Sequence, residues 1–244
     1  MILKLEKDLM VLPSQCDDTA CLSVNSIFGI FQDLASEHAP LMGMGAPDLA
    51  KDGLFWRTVK TKIRIVRRPE MLKPMHAESW PEEPGKIRCN RFYRLTDEHG
   101  LLAEGKTEWA IVHLQSGKLI PTAQAYNQTL RHMEETLLSE PFARVREDFS
   151  DAETLEHYRV RSTDIDLGQH MNNAAYPRVM LGALSTEALR EKPICEMDVL
   201  FRSPSYEGEV LRLCRRETET GIELGLFHAD GSPAALARIL LSSC

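Results

Sequence analysis

DLGQHMNNAAYP, residues 166–177, can be laid without a gap over DDTACLSVNSIF, residues 17–28. The overlay pairs Asp166 with Asp17 and His170 with Cys21, and each stretch runs into an apolar segment. In the first copy Val24, Ile27, Phe28, Phe31, Leu34 and Ala35 recur at helical spacing behind Ser23, a residue suited to an N-cap. In the second copy the expected helix runs over roughly 172–189, with Tyr176, Val179, Met180, Ala183 and Leu184 inward. Strand-like runs follow both helices. After the first come FWRTVKTKIRIV, KIRCNRFYRL and LLAEGKTEWAIVHL, the last two joined by the turn DEHG. After the second come ICEMDVLF, EVLRLCRR, GIELGLFH and AALARILLS, broken by ETG and DGS. The same order twice predicts an α+β protein of two similar domains, each an antiparallel meander packed on a helix. The expected boundaries are 1–135 and 151–244. Between them 136–150 serves as a linker, within a charged stretch read as short helix and loop.

Composition limits what such a protein can do. A chain of 244 residues that is 43% apolar can bury two small cores. A net charge of −7 argues against nucleic acid as the main partner, and no window is long and apolar enough to span a membrane. The six cysteines, Cys16, Cys21, Cys89, Cys195, Cys214 and Cys244, show neither zinc-ligand spacing nor a disulfide framework. No leader peptide is evident at MILKLEKDLM, so a reducing cytoplasm is the expected location. There is no Walker loop, GxGxxG or GxSxG elbow, and no second carboxylate cluster to complete a metal site. Neither cofactor nor metal is expected.

What remains is the chemistry of 161–180. His170 sits directly before a helix, where it can act as a general base toward water, with Asp166 or Asp164 to fix its tautomer. Asn172 and Asn173 fall where a helix start leaves unpaired amide donors. They can cap the helix or help to surround an oxyanion.

RSTDIDLGQHMNNAAY resembles the motif of the acyl-acyl carrier protein thioesterases of plants and bacteria. There an Asp-Leu-Asp segment precedes Gln-His or Gly-His, a hydrophobic residue, Asn-Asn and a tyrosine. The resemblance extends to FQDLASEHA, GLFW, SWP and TEWAIVHL in the first half. It implies two tandem hot-dog domains and hydrolysis of the thioester between a fatty acyl chain and its carrier protein. It places the catalytic aspartate and histidine on Asp166 and His170. The family's asparagine falls on Gly168, and its strand glutamate or cysteine near Pro204 and Ser205; Glu196, Asp198 and Glu207 are the candidate substitutes.

The resemblance also puts the acyl tunnel in the first half, where Phe28, Phe31, Leu34, Met42, Met44, Leu54 and Trp56 give a large apolar inventory. An acidic carrier would find cations at Arg57, Lys60, Lys62, Arg64, Arg67 and Arg68, followed by Lys86, Arg88, Arg91 and Arg94; a solvated sheet face explains them equally. The expected partner is acyl carrier protein, with a homodimer as a candidate assembly. The competing readings are an acyl-chain-binding protein without turnover and an acyl-coenzyme A thioesterase.

Overall fold

A computed structural model describes residues 3–242, which leaves Cys244 outside the described residues. The chain forms two compact units that divide between Pro141 and Phe142.

Unit 1 contains β1 (Leu5–Met10), α1 (Val24–Leu41), α2 (Ala46–Ala50), β2 (Leu54–Ile65), β3 (Pro74–Pro81), β4 (Arg88–Asp97), β5 (Gly100–His113), β6 (Leu119–Ile120) and α3 (Thr122–Ala125). Its antiparallel sheet has the order β1-β3-β4-β5-β2, with β6 added to β5. Ser23 caps α1 by accepting from the Ser26 amide at 3.1 Å. The expected face of α1 is buried at Ile27, Phe28, Phe31, Leu34 and Ala35. Phe31 stacks on Tyr93 of β4 at 4.5 Å between centroids and 10° between planes. That approach requires Gly105, opposite Tyr93 on β5: a Cβ there would stand 2.1 Å from the Phe31 ring.

Unit 2 contains β7 (Glu153–Arg159), α4 (Ala175–Gly182), α5 (Thr186–Glu191), β8 (Ile194–Phe201), β9 (Val210–Thr218), β10 (Gly221–Phe227) and β11 (Pro233–Leu241). Its antiparallel strands run β8-β11-β10-β9-β7. Read from the other end, this is the order of unit 1 with each strand replaced by its counterpart. The repeat seen in the sequence is therefore a repeat of topology.

Two local expectations are corrected. The single helix over 172–189 is instead two short ones, because Ser185 supplies a new N-cap and accepts from the Ala188 amide at 3.2 Å. The segment 136–150 holds no helix and is not a bare linker. Leu137 and Leu138 pack on Trp80 and Phe92, while Val145 and Phe149 pack on Leu200, Cys214, Phe227 and Leu236. Phe92 and Tyr93 are consecutive on a strand, so this segment covers the sheet face opposite α1 in unit 1. Among the described residues no helix is long and apolar enough to cross a membrane.

Candidate active site

The two overlaid stretches form the same backbone turn. In unit 1 a 3-10 turn at Pro13–Gln15 leads to a bridge between Cys16 and Leu22. Inside it the Asp17 amide donates to the Cys21 carbonyl and the Ala20 amide to the Asp17 carbonyl, both at 3.0 Å. In unit 2 a 3-10 turn at Ser162–Asp164 leads to a bridge between Ile165 and Met171. The Asp166 amide donates to the His170 carbonyl at 3.1 Å and the Gln169 amide to the Asp166 carbonyl at 3.0 Å. Even the left-handed residue is repeated, with φ of 58° at Ala20 and 61° at Gln169. A non-glycine residue in that region costs about 1–3 kcal/mol, so the surrounding bonds must hold it there.

The side chains on this shared backbone differ. In unit 1 Asp17 is tied to Arg68 and accepts from Thr19 through the amide (3.0 Å) and the hydroxyl (2.6 Å). Burial alone would raise the Asp17 pKa, but these bonds outweigh it and hold the carboxyl below its ordinary range. Cys21 stands where unit 2 has its imidazole.

In unit 2 the Asp166 Oδ1 accepts from the Gly168 amide at 2.8 Å, and His170 Nδ1 lies 3.3 Å from the Met171 carbonyl. Asp166 and His170 both face the space over Gly168. A Cβ there would stand 2.9 Å from His170 Nε2 and 3.0 Å from Asp166 Oδ1. Both side chains are part-exposed. A carboxylate and an imidazole brought this close to a residue without a side chain can bind a water between them, and the imidazole can take its proton.

The structure corrects three roles read from the sequence. Among the described residues, no hydrogen bond joins Asp166 to His170, so neither aspartate fixes the imidazole directly. Asp164 is buried and turned away, accepting from the Tyr158 hydroxyl and the Arg161 amide at 2.8 Å each and pairing with Arg178. It anchors the turn. Asn172 shapes the turn ahead of the helix, its Oδ1 accepting from the Ala174 amide at 2.8 Å, while the N-cap itself, Ala174, has no side-chain cap. The amides of Met171, Asn172 and Ala175 are also taken, by the carbonyls of Ser205, Asp164 and Asn172. These donors are not available to an oxyanion. Asn173 is part-exposed within that turn.

Of the candidate substitute acids, Glu196 and Asp198 both reach Arg238, at 3.2 and 3.5 Å, and Asp198 also accepts from the Ala143 amide at 2.9 Å. Glu207 is exposed. At the other mismatch, Ser205 is fully buried: its amide donates to the Tyr176 hydroxyl at 3.1 Å, and that hydroxyl donates to Ser205 Oγ at 3.2 Å. Tyr176 was read as an inward helix residue and as the tyrosine that closes the motif, but its bonds to Ser205 had no signal in spacing.

In unit 1, Met42 and Met44 share one apolar cluster with Leu49, Cys89, Ile111, Tyr126 and Leu130, against which Leu54 and Trp56 pack. Trp56 donates to the Met44 carbonyl at 2.8 Å and meets Tyr126 edge-on at 6.3 Å. Tyr126 also lines a cavity of about 400 Å³ bounded by Glu83, Lys86, Gln128 and His132. Phe28, Phe31 and Leu34 are buried on α1, outside that cluster.

The row of cations does not form an open patch. Arg67 pairs with Asp97, Arg68 with Asp17, Arg64 with Glu140, and Arg94 with Glu78 and Glu135. Lys60 and Arg88 both approach Glu108, and Lys62 is buried with its ammonium on the Pro141 carbonyl. Arg91 is interior: it meets His38 Nδ1 at 2.9 Å and Ser79 Oγ at 3.1 Å, and burial pushes its pKa down. The ligand atoms of Glu6, His76 and Glu78 lie within 4.8 Å of one another, but the Lys4 ammonium already pairs with both glutamates.

Comparison with known proteins gives a consistent result. The model of the acyl-ACP thioesterase N-terminal domain matches residues 3–129, and that of the C-terminal domain matches residues 147–237. The chloroplastic acyl-[acyl-carrier-protein] hydrolase FATB3 of Cuphea viscosissima is 22% identical over 208 residues, covering 80% of this chain and 48% of that protein. The chloroplastic oleoyl-acyl carrier protein thioesterase of Coriandrum sativum is 24% identical over 219 residues, covering 78% and 56%. This chain spans about half the length of the curated relatives it matches. Among solved structures, the 12:0-ACP thioesterase from Umbellularia californica superposes with a TM-score of 0.87 at 16% identity, covering 99% of this chain and 98% of that one. The acyl-ACP thioesterase from Bacteroides thetaiotaomicron VPI-5482 gives 0.82 at 16% identity, covering 98% of each. These likenesses show the fold, two tandem hot-dog domains. The two domain models together account for most of the sequence, and the chain belongs to the acyl-ACP thioesterase family.

Proposed function

We propose that this chain hydrolyses the thioester between an acyl chain and acyl carrier protein, with the chemistry in unit 2. The observation that carries the reading is the shared turn: of two copies of one backbone, only the second sets an imidazole beside the aspartate, and that aspartate accepts from the Gly168 amide where Asp17 is tied to an arginine. In that reading His170 takes a proton from water, the resulting hydroxide attacks the thioester carbonyl, and collapse expels the thiolate. The imidazolium then returns its proton to the leaving sulfur. The apolar interior of unit 1, around Met42, Met44, Leu54 and Trp56, takes the acyl chain.

Release of free fatty acid from a panel of acyl carrier proteins, run beside the same chains on coenzyme A, tests this. Faster release from the carrier protein supports the proposal. Preference for coenzyme A would reassign the substrate, and binding of acyl groups without release would leave an acyl-chain-binding protein.

A further inference from the structure

The His170 turn rests on the segment between β8 and β9. The Met171 amide, next to the imidazole, donates to the Ser205 carbonyl at 2.8 Å, and Ser205 is locked to the Tyr176 hydroxyl. The two ends of the same segment are tied by their own side chains to one imidazole from another stretch of unit 2. Ser203, at its start, donates from Oγ to the Pro233 carbonyl at 2.7 Å and lies 3.0 Å from His228 Nε2. Glu209, at its end, accepts from the Tyr206 amide at 3.2 Å and lies 3.3 Å from His228 Nδ1. His228 follows β10, so one imidazole ties both ends of the segment to the β10–β11 turn.

The hydrogens decide what this arrangement does. Ser203 has a single hydroxyl hydrogen, and the short contact to the Pro233 carbonyl uses it. His228 Nε2 must then be the donor to Ser203 Oγ, while its Nδ1 faces the Glu209 carboxylate at 3.3 Å. A serine whose hydrogen is committed to a carbonyl is not poised as a nucleophile, although Ser203, His228 and Glu209 stand in the order of a hydrolytic triad. They form a clasp.

One carboxylate of the clasp and one beside His170 both act on the Tyr176 hydroxyl that holds Ser205. Burial pushes the Tyr176 hydroxyl up, its bonds to Ser205 pull against that rise, and the charges of Glu209 and Asp166 add to it. Both carboxylates are thus near one phenol.

We propose that Ser203, His228 and Glu209 are positioning residues for the hydrolysis. They fix the 203–209 segment, which in turn fixes the backbone that carries His170. This rests on the thioesterase reading only for its kinetic readout.

The test uses the full chain with His228→Ala, Glu209→Ala and the pair together. On acyl carrier protein thioesters each single variant should lower kcat by about 10-fold with KM within about two-fold, because a slightly misplaced base slows chemistry without loosening substrate. The double variant should be no slower than the slower single one, since both break the same clasp. Hydrogen–deuterium exchange of the peptide over 166–173 should rise in every variant while that over β4 and β5 stays as in the native chain. Native exchange over 166–173 in the variants would overturn the proposal, as would a double variant slowed by the product of the single effects. An acyl adduct on Ser203 in the intact mass would also overturn it, by making Ser203 the nucleophile. A native chain that releases no fatty acid would defeat the thioesterase reading instead, and the exchange result would still decide the clasp.

Discussion

Gly168 occupies the position where a side chain would meet both reacting groups. Its φ is not in the left-handed region, so alanine fits the backbone, and the atoms in the way are the ends of His170 and Asp166. Gly168→Ala should therefore fold and melt as the native chain does while losing about 10-fold in kcat, because the strain is relieved by moving the reacting atoms. Native turnover in Gly168→Ala would show that the ends of His170 and Asp166 beside Gly168 are not where the chemistry occurs. The residue-by-residue alignment of Asp17 with Asp166 and Cys21 with His170 was legible in the sequence, since neighbouring apolar and polar positions set the register. Which of two nearby aspartates is buried was not legible. Asp164 is claimed by Tyr158, Arg161 and Arg178, and that choice depends on how β7 and α4 meet rather than on the motif itself.

At the scale of elements, β2, β4, β5 and β8 to β11 were legible as apolar or alternating runs, and β1, β3 and β7 were not. β1 reads LEKDLM and β7 reads ETLEHYR; both are half-exposed, charged strands that depend on a partner for their pairing. The contact of α1 with its sheet makes a direct prediction. Gly105→Ala must displace the Phe31 ring from Tyr93 and should cost about 1–3 kcal/mol in urea denaturation; an unchanged midpoint would mean the stack is not tight. The β4–β5 turn carries a pH signature. The Arg67 guanidinium holds the Asp97 carboxyl down at about 2, against an unfolded value near 3.8. A depressed pKa adds stability above the unfolded value and loses it as pH falls from about 4 to about 2. Asp97→Asn should flatten the acid limb of the melting profile over that interval, and an identical limb in both proteins would remove the pair from the account.

For the whole molecule, the duplication was visible as a repeated order of elements, and the structure extends it to strand order and to a single turn with matching bonds. The connecting segment was misread because its charge suggested short helix and loop rather than core, whereas its few apolar residues are spaced to cover one sheet in each unit. The cations of unit 1 illustrate the converse. A run without acids in sequence is largely neutralised once Glu78, Asp97, Glu108, Glu135 and Glu140 are brought beside it. The central claim is that one copy of a duplicated turn does chemistry and that His170 is its base. Single-turnover release of fatty acid from acyl carrier protein, native against His170→Ala, tests it most directly. A fall of at least about 10²-fold with an unchanged melting midpoint is the predicted result. Equal rates from two equally folded proteins would contradict the account.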